Sequence, residues 1–177
     1  MRMLASLDLP TALDSRLGPV VLRRAGVADL AALMELLSDD TISASRGDVA
    51  SADDEPAYRA ALEEILGDTG NDLLVVGDGD GRLVATMQLT RIPGMARRGS
   101  TRLLVEAVRV RSDLRSAGIG GAMMRWVTEV AAPTLGSSLV QLTSDAARVD
   151  AHRFYERLGF AASHVGFKYR VPRVEQG

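Results

Sequence analysis

The chain has 177 residues, 46% hydrophobic and 25% charged, with a formal net charge of −2. That length suits one domain with a sizeable core, and the charge balance gives no basic surplus that would mark nucleic acid as a bulk partner. There is no cysteine, which excludes disulfides, thiolate catalysis and cysteine metal sites and fits a reducing compartment, the cytoplasm.

Residues 1–18 read as an irregular N-terminal extension, docking on a neighbour through Leu4, Leu7 and Leu9. Asp8 and Pro10 break what would have to be the apolar core of a signal peptide. No apolar run approaches the ~20 residues of a membrane-spanning helix, so no membrane partner is expected. Residues 19–24 form a short predicted strand. Val27, Leu30, Leu33, Met34 and Leu37 then repeat at helical spacing. Residues 38–55 are polar and acidic, a long loop or a poorly ordered lid. Its Asp48, Asp53, Asp54 and Glu55 can attract a cationic amine, although a solvated acidic loop is the plainer reading. Pro56 suits the first turn of a second helix, with Tyr58, Leu62, Ile65 and Leu66 on its apolar side.

A hairpin follows. Strand 72–77 runs into the turn Asp78-Gly79-Asp80-Gly81, and strand 82–92 returns with Leu83, Ala85, Met87 and Leu89 in alternation. After a loop to about residue 100, an apolar stretch at 103–110 reads as a strand. It leads through a polar link into Arg115-Ser116-Ala117-Gly118-Ile119-Gly120-Gly121 and a helix that Pro133 and Gly136 end. Strand 138–143 comes next, and a helix between two strands implies a parallel crossover. A last helix at 147–158 is stopped by Gly159, and residues 160–171 give two short closing strands.

The strand–glycine turn–helix unit around Gly118 is the chemical centre of the chain. The first turn of a helix has N–H groups without partners and a partial positive charge, and glycines let a phosphate approach them. A dinucleotide fingerprint would need a third glycine where Met123 stands, and a Walker A loop would need Lys and Ser or Thr after Gly120. A tight turn that binds nothing also fits the glycines alone.

Arg115-x-x-Gly118-x-Gly120 resembles the acyl-CoA pyrophosphate motif of the GNAT superfamily of N-acyltransferases. Phe154-Tyr155-Glu156-Arg157-Leu158-Gly159-Phe160 resembles the second GNAT motif, a Tyr-bearing helix followed by Gly-Phe. The resemblance covers residues 19–171, leaving 1–18 as an extension and 172–177 as a tail. It implies an α/β (α+β) GNAT fold: a mixed central sheet of about six to seven strands flanked by helices, with splayed strands forming an acyl-CoA cleft. It also implies acetyl-CoA as cosubstrate, a small-molecule or peptide amine as acceptor, and a homodimer, since many relatives are dimers. By the same resemblance Val108, Arg109 and Val110 offer backbone groups to pantetheine. Pyrophosphate then meets the N–H groups of Ser116, Ala117, Gly118, Ile119, Gly120 and Gly121, with Arg115 adding charge at the rim. Arg148 and Arg153 are candidates for the adenosine phosphate, with solvated helix charges the better reading.

An amine attacks a thioester only when unprotonated, so a base is required. Glu106 is the candidate. On a regular strand it shares a face with Val108 and Val110. The competing reading is a buried carboxylate paired with Arg109 or Arg91. The N–H of Val108 or Val110 can stabilise the oxyanion, and Tyr155 can protonate the departing thiolate; a core aromatic beside Phe154 or Leu158 is its alternative. His152 and His164 lack metal-ligand spacing, so no metal is expected. The second function class is a GNAT-fold domain that binds acyl-CoA as a sensor or structural ligand without turnover.

Overall fold

The computed structural model describes residues 3–40, 44–45, 47 and 49–172. Asp48 of the acidic loop and residues 173–177 of the tail lie outside the described residues. The chain divides into two units after Leu142.

The first unit is built on a six-stranded sheet in sequence order: β1 Thr11–Ser15, β2 Gly18–Arg24, β3 Asn71–Gly77, β4 Leu83–Ile92, β5 Arg102–Val110 and β6 Leu139–Leu142. Neighbours pair antiparallel up to β5, and β5 pairs parallel with β6. The mixed six-stranded sheet agrees with the expected fold class. The expected parallel step is present, and it needs the long helical connection that the chain places there. The helices are α1 Leu30–Ser38, α2 Glu55–Gly67 and α3 Ile119–Trp126. Helix α3 runs on through a π-helical turn, Val127–Ala131, and a last turn, Ala132–Leu135, ending at Gly136 in the left-handed conformation. Among the described residues no helix is long and apolar enough to cross a membrane.

The sheet buries both faces. Cross-strand partners share a face, so the registers sort the core into two sets. Leu13, Val20, Leu22, Leu74, Val76, Ala85, Met87, Leu89, Leu103 and Val105 lie on the side of α3, which packs on β1 and β5. Val75 lies on the other face with Leu30, Leu33 and Met34 of α1 and Leu62 of α2. Met123 and Met124 are fully buried and Trp126 nearly so. At the entry to α1, the Asp29 carboxylate accepts the Gly26 N–H at 2.8 Å and two guanidinium N–H groups of Arg23, each at 2.8 Å.

The N-terminal segment corrects one expectation. Within the expected extension 1–18, the described residues 3–18 are not irregular throughout: Thr11–Ser15 forms the edge strand of the same sheet, and Leu4 and Leu7 are buried in the chain's own fold. Arg24 holds this segment. Its guanidinium donates to the Leu4 and Leu7 carbonyls at 2.8 and 3.2 Å and to Asp72 Oδ2 at 2.9 Å. Burial pushes the Asp72 carboxyl above its usual range despite the charge of Arg24, so desolvation outweighs the ion pair.

In the second unit, α4 Val149–Arg157 stands within the predicted helix. The two closing strands predicted at 160–171 do not form. Residues 161–172 carry no strand pairing, and Val165, Phe167, Tyr169 and Val171 are exposed. Alternation says which side chains would share a face; a strand also needs a partner ladder.

Removing one member of the Arg24–Asp72 pair should cost more than removing both. Arg24→Met is expected to destabilise by about 2–3 kcal/mol in urea denaturation, because Asp72 keeps a buried charge. Arg24→Met combined with Asp72→Leu should recover most of that loss. Because folding raises the Asp72 pKa, the native state holds the proton longer, and stability falls as pH rises from the unfolded value through the folded one. In the single variant the loss should therefore shrink as pH is lowered into that window. Equal loss in single and double variants would sink the pairing argument.

Candidate active site

The site is set by a change in the way β5 is paired. From Arg102 to Val105 it has β4 on one side and β6 on the other. Beyond Val105, opposite Leu142, the parallel ladder stops. Glu106–Val110 therefore keep β4 on one side, while among the described residues no strand ladder forms on the opposite edge. Such an edge offers backbone donors and acceptors to an extended ligand with amide groups.

At that point β5 also bulges. Gln88 pairs with Glu106 and Thr86 with Arg109, so Ala107 and Val108 together face Met87. Ala107 has φ 50, the left-handed conformation of the first residue of a bulge. This corrects the expected alternation. Glu106 does not share a face with Val110: Val110 pairs with Ala85 on the α3 side, whereas Glu106 shares the α1–α2 face with Arg109. The extra residue shifts the period-two pattern by one.

The alternative reading of Glu106 is also removed. Its side chain is exposed, and among the described residues no arginine pairs with it. Arg91 donates to Thr101 Oγ1 at 3.3 Å, and Arg109 donates to the Val108 carbonyl at 2.9 Å. The latter bond engages one of the backbone groups that the resemblance offered to pantetheine.

After β5 the chain turns through Ser112–Leu114 into the glycine loop. Ser116 has φ 70 and Gly118 φ 87, and Gly118 is the residue before the first turn of α3. A Cβ at Gly118 would stand 3.7 Å from Arg16, so space allows it while the backbone conformation disfavours it. Backbone bonding commits the N–H of Arg115 to Ser112 and that of Ala117 to Leu114. Among the described residues no backbone acceptor reaches the N–H groups of Ser116, Gly118, Ile119, Gly120 and Gly121; Ala122 begins the helical ladder by donating to Gly118. Five donors thus remain at the positive end of α3, the arrangement an anion requires.

Two distant segments hold this loop, neither legible in the glycine motif. Arg16, in the β1–β2 turn, donates its N–H to the Ala117 carbonyl at 2.8 Å and its guanidinium to the Ser116 carbonyl at 3.2 Å. Asp39, after α1, accepts the Ser112 N–H at 2.6 Å, and its own carbonyl accepts from the Arg115 guanidinium at 3.1 Å. Arg115 is thus tied back to α1.

In the second unit Tyr155 lies between two aromatic rings, 5.1 Å from Phe154 and 5.9 Å from Phe160, both edge-on. His152 shares a hydrogen bond of 2.8 Å with the Asp145 carbonyl. Arg153 stands 3.7 Å from an exposed Asp150, as a solvated helix charge does. Among the described residues no group of three or more His, Asp or Glu is arranged to hold a metal ion.

The chain matches the Acetyltransferase (GNAT) family over residues 30–160. It is similar to a solved transcriptional regulator from Bacillus halodurans C-125, with 38% identity and a TM-score of 0.80, covering 86% of this chain and 99% of that one. An acetyltransferase from Trypanosoma brucei is 25% identical with a TM-score of 0.69, covering 86% and 99%. The glucosamine-6-phosphate N-acetyltransferase of Arabidopsis thaliana, 18% identical with a TM-score of 0.68 over 86% and 99%, shares the fold. No curated protein matches the chain. The protein belongs to the GNAT acetyltransferase family, whose chemistry is acyl transfer from acetyl-CoA.

The bulge supplies a test of the site's geometry. A left-handed alanine is strained by about 1 kcal/mol or more, and a β-branched residue tolerates that conformation far less. Ala107→Gly should keep or slightly raise the melting temperature. Ala107→Val should lower it and disturb the edge beyond Val105. A valine variant as stable as the wild type would mean that the left-handed bulge is not a fixed feature.

Proposed function

We propose that this protein transfers the acetyl group of acetyl-CoA to a primary amine by direct attack within a ternary complex. The observation that carries this reading is the five-donor loop at Ser116–Gly121 next to a strand whose second edge, from Glu106 to Val110, has no ladder among the described residues. Pyrophosphate suits the first, and the amide groups of pantetheine suit the second. In this reading Arg109 and Val110, with the Val108 N–H, line the pantetheine path, and Arg115 adds charge near the phosphates. The acceptor is a small-molecule or peptide amine.

The exposed Glu106, which no arginine among the described residues neutralises, supports its role as base. It takes a proton from the amine nitrogen, directly or through one water, as that nitrogen bonds to the acetyl carbon. The carbonyl oxygen gains charge and is met by a backbone N–H of the bulge region. The carbon–sulfur bond then breaks, and Tyr155 supplies the proton that the thiolate takes up. With no cysteine in the chain, an acyl-cysteine intermediate has no residue to form on.

The similarity to a transcriptional regulator favours a second reading, an acyl-CoA sensor that binds without turnover. The two separate on release of free thiol from acetyl-CoA with an amine panel, which only an enzyme gives.

Calorimetric titration should show stoichiometric acetyl-CoA binding in the micromolar range and no heat with NAD. Gly118→Val, which cannot hold φ 87 without strain, should weaken acetyl-CoA at least about tenfold. Glu106→Gln should lower kcat by about 10²–10⁴, the range of a lost general base, while leaving acetyl-CoA affinity unchanged. Full activity in both Glu106→Gln and Tyr155→Phe would remove the assigned roles while leaving the family intact.

A further inference from the structure

We propose that Gln88 orients the acceptor amine beside Glu106, accepting one of its N–H bonds on Oε1, and that a hydrogen-bond relay from Asp68 through Asn71 fixes the Gln88 amide for that task. The inference rests on the amine-transfer reading above and adds the group that selects and aims the amine.

The relay begins with an ion. The Asp68 carboxyl accepts the Gly70 N–H at 2.7 Å and the Asn71 side chain at 2.6 Å, and these bonds hold it below the usual carboxylate range. A carboxylate only accepts, so Asn71 must turn its Nδ2 towards Asp68. That leaves Asn71 Oδ1 facing β4, where it accepts from Thr90 Oγ1 at 2.6 Å and from Gln88 Nε2 at 3.1 Å. Each amide orientation follows from the one before it. With Nε2 committed to Asn71, the oxygen is the remaining end of the Gln88 amide, and among the described residues no donor reaches it.

The register then brings that oxygen to the base. Gln88 is the direct cross-strand partner of Glu106, on the same face of the sheet. Directly opposed side chains have Cβ atoms about 4.5–5.5 Å apart. Gln88 is half-buried and Glu106 exposed, so a ligand can reach both. The pair presents one neutral acceptor and one basic acceptor.

A neutral primary amine has two N–H bonds and one lone pair. Giving one N–H to Gln88 Oε1 and the other to Glu106 leaves the lone pair to be aimed by the site. A hydroxyl has one hydrogen and leaves one acceptor unmet, which is costly in a site that excludes water. The arrangement therefore selects amines over alcohols as well as positioning them. Thr90 and Asn71 do not touch the amine; they hold the residue that does.

The test measures thiol release from acetyl-CoA with four probes: an alanine N-terminal tripeptide, a lysine peptide with a blocked N-terminus, glucosamine 6-phosphate and putrescine. The best probe is carried forward. Gln88→Met keeps the length and removes the acceptor. It should raise the amine KM about tenfold, the worth of one hydrogen bond, and leave the acetyl-CoA KM within about twofold. Asn71→Leu, which frees the Gln88 amide to rotate, should raise the amine KM by a smaller factor of about three, also without an effect on acetyl-CoA. An unchanged amine KM in both variants, with acetyl-CoA bound and transfer intact, overturns the role of Gln88 alone. If Gln88→Met does not fold, Asn71→Leu decides by the same criterion. Acetyl-CoA binding without transfer from the wild type to any probe overturns the amine-transfer reading, and this inference with it.

Discussion

Strand β5 is paired on two sides for its first half and on one side for its second, and the site depends on that change. Were β6 to continue beside it past Val105, the backbone groups of Glu106–Val110 would be spent on a ladder. The strand ends its two-sided pairing just where the bulge at Ala107 and Val108 begins. Glu106 lies on the α1–α2 face by the same alternation that keeps Leu103 and Val105 buried on the α3 face, and the bulge beyond it brings Arg109 to the face of Glu106 and Val110 to that of Val105. One extra residue thus changes which side chains share a face before and after it.

The glycine loop continues the same logic. It follows β5 after a single short turn, and its free N–H groups arise because three segments agree on its shape. Leu114 and Ser112 take two of its donors, Arg16 fixes two of its carbonyls, and Asp39 clamps the turn before it. A loop held from outside has less freedom to lose when an anion arrives. Two strained left-handed residues, Ala107 and Ser116, lie at this region, as strain does where surrounding structure over-determines the backbone. The N-terminal hairpin therefore has a purpose beyond closing the sheet edge: it carries Arg16 to the loop. Arg24, bound to Asp72 and to two carbonyls of the first residues, secures the segment that leads into that hairpin.

Local signals in the chain proved sufficient for elements and for the family. Helical spacing from Val27 to Leu37, the Asp-Gly-Asp-Gly turn and the apolar run before Gly118 each act over a few residues, and each formed near its expected bounds. The two motifs around Gly118 and Tyr155 are contiguous, which is why the GNAT family was legible in them. The alternation of Leu83, Ala85, Met87 and Leu89 marked the apolar face of that strand. What it did not contain was the identity of the strand residue opposite Gln88.

The sequence by itself determined most of the helices and central strands, the glycine turn before α3 and a short set of candidate residues, because those depend on neighbours along the chain. Tertiary structure alone decided the rest. The bulge is a mismatch between β4 and β5 and has no local signature, since Ala107 is an ordinary strand residue to the eye. It moved Val110 off the face that a regular strand would share with Glu106. The joining of residues 11–15 to the sheet, the ties from Arg16 and Asp39 to the loop, and the chain of bonds from Asp68 to Gln88 all connect residues far apart in sequence. The closing strands show the converse: a good alternating pattern from Val165 to Val171 forms no strand where no ladder receives it. Periodicity fixes which side chains travel together, whereas pairing between strands fixes what they meet.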